Sequence, residues 1–240
     1  MKYIKYCIKE EIVTIIFNRP NKYNSFSKEF IEELTSIFSK AVSLEPRLIV
    51  FEASGKGFSG GFDFSNIEKK SDEELILRFI KIEQLLQKIY YSSIPSIAFV
   101  HGACYGAAAD LVVTCQWRIA SRDSKFLMPG SKFGVILGTN RLVNLVGENN
   151  ARDIIFRDEI IKAPDALNFG LITQISDKEN WETIKCKIFN KLKNYKNFAY
   201  KNVLKKMRKD ERNSDLSELV NSITEGSIKQ NIISYLKMKK

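Results

Sequence analysis

Histidine is almost missing from this chain: His101 is the one histidine in 240 residues. A histidine-centred triad or a zinc site built on imidazoles has little to draw on. Its place after an apolar run suits a strand-end residue bonded to backbone better than a catalytic base. The four cysteines, Cys7, Cys104, Cys115 and Cys186, show no metal-ligand spacing. The first 20 residues lack a signal-peptide pattern, because Glu10 and Glu11 break up the apolar positions. Reduced thiols and a cytoplasmic location are therefore expected. No apolar run reaches bilayer-spanning length. Proline occurs five times and never after Pro164, and beyond that point glycine occurs only at 170 and 226. That final stretch reads as mostly helical.

Hydrophobic residues make up 44% and aromatics 11%, which excludes a disordered chain and fits one large core or a domain with a small appendage. The net charge of +10 is concentrated at the end: residues 181–240 hold fifteen Lys/Arg against six Asp/Glu. The run at 201–212 (KNVLKKMRKDER) reads as a basic helix. It suits a solvated face, an anionic surface or a phosphate-bearing ligand. No aromatic-interleaved RNA motif or helix-turn-helix signature accompanies it, which argues against nucleic acid.

Residues 11–17 read as a strand closed by Pro20. Ser27 is placed to cap a helix whose apolar positions are Phe30, Ile31, Leu34, Ile37, Phe38 and Ala41. Residues 47–53 form the next strand. Ser71, followed by Asp72, Glu73 and Glu74, starts a second helix with a face of Leu75, Phe79, Ile82, Leu85, Leu86 and Ile89. Pro95 precedes a third strand, 107–115 is a buried helix, and 117–120 returns as a strand. This alternation predicts right-handed crossovers and parallel sheet. A soft boundary near 176 separates a core, 1–176, from a basic helical region, 177–240.

Two loops rich in small residues carry the chemistry. One runs Gly55-Lys56-Gly57-Phe58-Ser59-Gly60-Gly61-Phe62-Asp63 after Leu48-Ile49-Val50-Phe51. The other runs His101-Gly102-Ala103-Cys104-Tyr105-Gly106-Ala107-Ala108-Ala109-Asp110 after Ile97-Ala98-Phe99-Val100. Small residues at strand ends admit close backbone approach. Two such loops can aim two N–H groups at one point, the geometry that stabilises an oxyanion.

With Ile16-Phe17-Asn18-Arg19-Pro20 and Asn24, Ile94-Pro95 leading into the second loop, Gly138-Thr139-Asn140-Arg141-Leu142, and 163–172, these loops resemble the crotonase superfamily, the enoyl-CoA hydratase/isomerase family, over about residues 12–175. The resemblance implies an α/β fold: a crotonase-like spiral of ββα units with a small helical C-terminal region that packs in a trimer or hexamer. It also implies an acyl thioester of coenzyme A or of an acyl-carrier protein as substrate. No tightly bound cofactor or metal follows, coenzyme A entering as part of the substrate. The oxyanion donors fall at the Phe62 and Ala107 N–H groups. Ser59, Gly60, Gly61, Tyr105 and Gly106 would lie along the ligand, and Lys22 and Lys56 are candidates for its charged end.

A hydratase of this family uses two glutamates. The first falls at Asp110, one methylene shorter, and the second at Gly130. The loop following Gly134 is about three residues short of the usual pattern. Ser131, Lys132, Thr139 and Asn140 are possible supporting groups. One carboxylate supports isomerisation or decarboxylation of a thioester through an enolate better than hydration. Asp110 could instead cap its helix. The competing reading is a thioester-binding or assembly protein without turnover.

Overall fold

The computed structural model describes residues 2–157 and 159–238. The chain opens with β1 (Ile4–Lys9), β2 (Ile12–Phe17), α1 (Lys28–Ser43), β3 (Leu48–Ala53) and α2 (Asp72–Tyr90). Next come β4 (Ser96–Val100), β5 (Ala103–Tyr105), α3 (Ala107–Thr114), β6 (Trp117–Ala120) and β7 (Lys125–Leu127). After these lie α4 (Thr139–Val146), α5 (Glu148–Phe156), β8 (Ile161–Lys162), α6 (Ala163–Asn168) and β9 (Gln174–Ile175). Four helices finish the chain: α7 (Trp181–Lys193), α8 (Asn197–Lys206), α9 (Arg212–Thr224) and α10 (Ile228–Met238).

The main sheet has the order β1-β2-β3-β4-β6-β9, with β1 antiparallel and every other pair parallel. A smaller sheet, β5-β7-β8, stands beside it. Residues of β3 and β4 alternate between two buried faces. Ile49, Phe51, Ala98 and Val100 join the large core, while Leu48, Val50, Ile97 and Phe99 meet Phe189 and Leu192 of α7. Trp181 stacks on Phe99 with ring centroids 4.9 Å apart.

Helix α1 starts at Ser27, whose hydroxyl accepts from Phe30 N–H, and it buries the six apolar residues expected. Helix α2 starts in a capping box between Ser71 and Glu74. Its buried face includes the six expected residues and also Arg78 and Glu83.

Strand β1 escaped the sequence reading because Ile4 alone of its residues is buried, as an edge strand allows. The basic run at 201–212 is not one helix. Helix α8 ends at Lys206, and α9 begins at Arg212. Helix α8 also lies away from the two glycine-rich loops. Lys201 pairs with Glu45, just before β3, and the Lys209 carbonyl accepts from Tyr91 at the end of α2. Those contacts are at the start of the parallel strands, and the loops are at their ends. Helices α9 and α10 instead pack on α2, and Tyr235 of α10 meets Phe133 in the 3₁₀ turn at Gly130–Phe133.

Candidate active site

The loops after β3 and β4 are held together as adjacent extended backbones. Ser59 N–H donates to the Ala103 carbonyl at 2.9 Å, and Tyr105 N–H donates to the Ser59 carbonyl at 3.0 Å. Phe58 N–H reaches the His101 carbonyl at 2.8 Å. Contact becomes closest at Gly61, which has φ +79°. A Cβ there would stand 2.2 Å from the Tyr105 carbonyl oxygen and 3.5 Å from Ala107 N, so only glycine fits. The pairing thus brings the Gly61–Phe62 backbone beside the start of α3. Among the described residues no hydrogen bond takes up Phe62 N–H or Ala107 N–H. The second belongs to the first turn of a helix, where N–H groups lack intrahelical acceptors.

Asn24 ties the first loop down. It is fully buried, accepts from Arg19 N–H at 2.7 Å, and donates to the carbonyls of Ser54, Gly57 and Phe58. Asn24→Leu should cost several hydrogen bonds at once, about 2–4 kcal/mol. Thermal melting would read this as a large fall. Arg19 pairs with Asp63 at 2.6 Å. Burial would raise the Asp63 carboxyl, but Ser65 and Arg19 outweigh it and hold it at about 2. Arg78 donates to the Asp63 carbonyl at 2.7 Å and covers the Phe62 ring at 4.5 Å. The sequence held a signal for Arg78 and Glu83: both are charged residues on the apolar side of α2.

Beneath the two N–H groups lies a narrow cavity of about 90 Å³. Phe62, Phe64, Phe79, Phe133, Leu142 and Ile155 supply much of its wall, and Gly60, Tyr105, Gly106, Ala107, Gly130, Ser131 and Thr139 also border it. Asp110 is its single carboxylate among the described residues, and no Lys or Arg lines it. A wider groove continues outward past Lys22, Tyr23 and Ser25, sharing Gly60, Phe62, Phe64 and Tyr105 with the cavity.

Asp110 is 5% exposed, and its buried Oδ1 has no hydrogen-bond partner among the described residues. It therefore does not cap α3. Burial raises its carboxyl well above the ordinary range, and Glu83 adds to this while Arg141 opposes it. An acid that readily holds a proton, facing an apolar cavity beside two open N–H donors, can move protons to and from carbon.

The other expected residues separate. Lys56 is exposed and lines neither space. The Ser59 hydroxyl is turned inward, donating to the Asn24 carbonyl and accepting from Gly61 N–H, so it shapes the loop and does not face the cavity. Asn140 bonds Asp215. His101 is 2% exposed and its Nε2 bonds the Gly55 carbonyl at 2.9 Å, the backbone role expected. Among the described residues no His/Cys/Asp/Glu cluster could hold a metal, and no helix is long and apolar enough to cross a membrane.

Gly130 opens a turn closed by Val135 N–H donating to the Gly130 carbonyl at 2.9 Å. A Cβ at Gly130 would sit 2.9 Å from the Val135 carbonyl oxygen. A side chain there must move backbone, so Gly130→Glu is expected to lower stability by roughly 1–3 kcal/mol and to yield no hydratase. Thermal melting and assay of 3-hydroxyacyl product check both parts.

The family model described as enoyl-CoA hydratase/isomerase matches residues 7–233. A probable enoyl-CoA hydratase of Bacillus subtilis is 30% identical over 77% of this chain and 72% of its own length. A mitochondrial Delta(3,5)-Delta(2,4)-dienoyl-CoA isomerase of Dictyostelium discoideum is 28% identical over 68% of this chain, and the match spans 61% of that relative. A trans-2-decenoyl-[acyl-carrier-protein] isomerase of Streptococcus mutans is 26% identical over 83% of this chain and 79% of its own. Among solved structures, one from Bordetella parapertussis named for enoyl-CoA hydratase/isomerase superposes with a TM-score of 0.95 at 30% identity, covering 98% of this chain and 99% of that one.

Proposed function

The chain belongs to the enoyl-CoA hydratase/isomerase family, and within it we propose that it shifts a double bond along the apolar acyl chain of an enoyl thioester, with coenzyme A as carrier. One observation carries this reading: among the described residues a single carboxylate faces the cavity, and a side chain at the position of the second would press on the Val135 carbonyl. Hydration needs a placed water and proton management on two sides of the double bond. A 1,3-proton shift needs one group that takes a proton and gives it back. The apolar wall, without Lys or Arg among the described residues, favours an uncharged acyl chain over the malonyl type that a decarboxylase requires.

In this mechanism the thioester oxygen accepts from Phe62 N–H and Ala107 N–H. Ionised Asp110 removes a proton from C2 of a 3-enoyl thioester. The electron pair spreads over a dienolate whose negative oxygen the two donors hold, each worth on the order of 3 kcal/mol. Protonated Asp110 then delivers the proton to C4, leaving a conjugated 2-enoyl thioester and an ionised carboxylate. Atoms and charge balance with no water consumed. The outer groove past Lys22 and Tyr105 would take the pantetheine arm.

The test is a panel of 3-enoyl-, 2-enoyl- and malonyl-CoA followed by mass spectrometry and NMR. Interconversion of the enoyl isomers without 3-hydroxyacyl product supports the reading. Hydrated product or carbon dioxide release would replace it. Coenzyme A binding with no turnover across a broad panel would favour the assembly role. The +10 charge and the Streptococcus mutans relative motivate running each acyl group also on a carrier protein.

A further inference from the structure

Behind Asp110 lies a charged cluster that the proton shift does not use directly. Arg141 of α4 grips Glu83 of α2 with both terminal nitrogens, one contact being 2.8 Å. Its Nη1 also reaches Asp215 of α9 at 2.9 Å. The three side chains are 1%, 1% and 7% exposed. Gln87 donates to Glu83 at 2.9 Å, and Asn140 donates to Asp215 at 3.0 Å. Two carboxylates thus share one guanidinium in the interior. Burying such a cluster is costly and adds little to stability over apolar packing, so its retention calls for another role.

Its position supplies one. Arg141 lies in the first turn of α4, and that helix follows Gly138, whose missing Cβ would be 2.6 Å from Asp110 Oδ1. The cluster therefore pins the element that forms the floor under the Asp110 carboxyl. Among the described residues, the ionisable groups that act on Asp110 are Arg141 from α4, Glu83 from α2 and Cys104 from β5.

We propose that Glu83, Arg141 and Asp215 are positioning residues for Asp110: they fix the start of α4 against its carboxyl. This rests on the reading of Asp110 as the proton carrier. Through Asp215, α9 becomes part of the site, so the C-terminal helices tune a group in the core. Loosening the start of α4 admits water to the buried carboxyl and makes its ionisation easier, and in Glu83→Gln the lost charge acts in the same direction.

The test reads the carboxyl itself. Infrared difference spectra of wild type against Asp110→Asn isolate the protonated-carboxyl stretch of Asp110, which is followed over pH. Glu83→Gln and Asp215→Asn are each expected to lower the midpoint by about one pH unit. The acidic limb of the kcat profile should move with it. A purely structural cluster would change melting temperature and leave the midpoint in place. Where Glu83→Gln does not fold, Asp215→Asn decides, since it keeps the size of the side chain and the Asn140 contact. An unchanged midpoint in folded Asp215→Asn overturns the proposal. A shifted midpoint without any turnover that depends on Asp110 would sink the proposed reaction and leave the cluster's role standing.

Discussion

Asp110→Asn is expected to lower turnover by about a thousandfold or more and, at neutral pH, to raise the melting temperature. The two effects have one cause. The native carboxyl ionises well above 3.8 because it is buried, while in the unfolded chain it ionises near the ordinary value. Between those points the native state holds a proton that the unfolded state has released, so stability falls as pH rises. Asparagine has the same shape and nothing to ionise. The gain should be absent below pH 4, grow through the window above it, and reach about a few degrees in melting temperature. A capping acid would behave otherwise, with stability unchanged or lower and turnover kept. Melting curves at several pH values, run beside the thioester assay, separate the two.

Gly138→Ala should cost about a hundredfold in kcat with a modest loss of stability. Two penalties meet there. Gly138 has φ +70°, which costs alanine about 1 kcal/mol. The new methyl would also begin 2.6 Å from Asp110 Oδ1, and the carboxyl must swing away. Displacing a reacting group by about 1 Å is enough for a loss of that size. Gly147→Ala is the control. Gly147 has φ +80° and also precedes a helix, but nothing lies within 4 Å of the position its Cβ would take. With ψ 160° it lies in a region that glycine alone adopts readily, so its alanine variant should lose at least as much stability and keep full activity. Equal activity in the two variants would remove Gly138 from the site.

How much of this was readable before the structure follows from how local each signal is. The starts of α1 and α2 rest on a serine and the residues just after it, and both caps and buried faces came out as the periodicity implied. The buried strand β6 was read to its ends, because four residues between a polar turn and a helix have one way to pack. Strand β1 was not, since burial of Ile4 alone leaves little pattern. The 201–212 run misled because lysine spacing says nothing about where a helix stops.

The site divides in the same way. Small residues at Gly61 and Gly106 announced two close backbones. The inward turn of the Ser59 hydroxyl depends on a carbonyl 35 residues away at Asn24, which no local pattern reports. The absence of a carboxylate at Gly130 was plain in the sequence. Its reason, the Val135 carbonyl in the space a side chain would need, is a property of the folded turn. Glu83, Arg141 and Asp215 come from three helices, and they meet only once α9 has folded back on α2.

The central claim is that one carboxylate carries a proton between two carbons of a thioester. The most direct measurement is NMR of a medium-chain 3-enoyl-CoA incubated with the protein in deuterium oxide. The account predicts a conjugated 2-enoyl thioester, with any deuterium confined to C2 and C4, and neither label nor product with Asp110→Asn. A hydroxyl group at C3, or isomerisation that survives in Asp110→Asn, would contradict it.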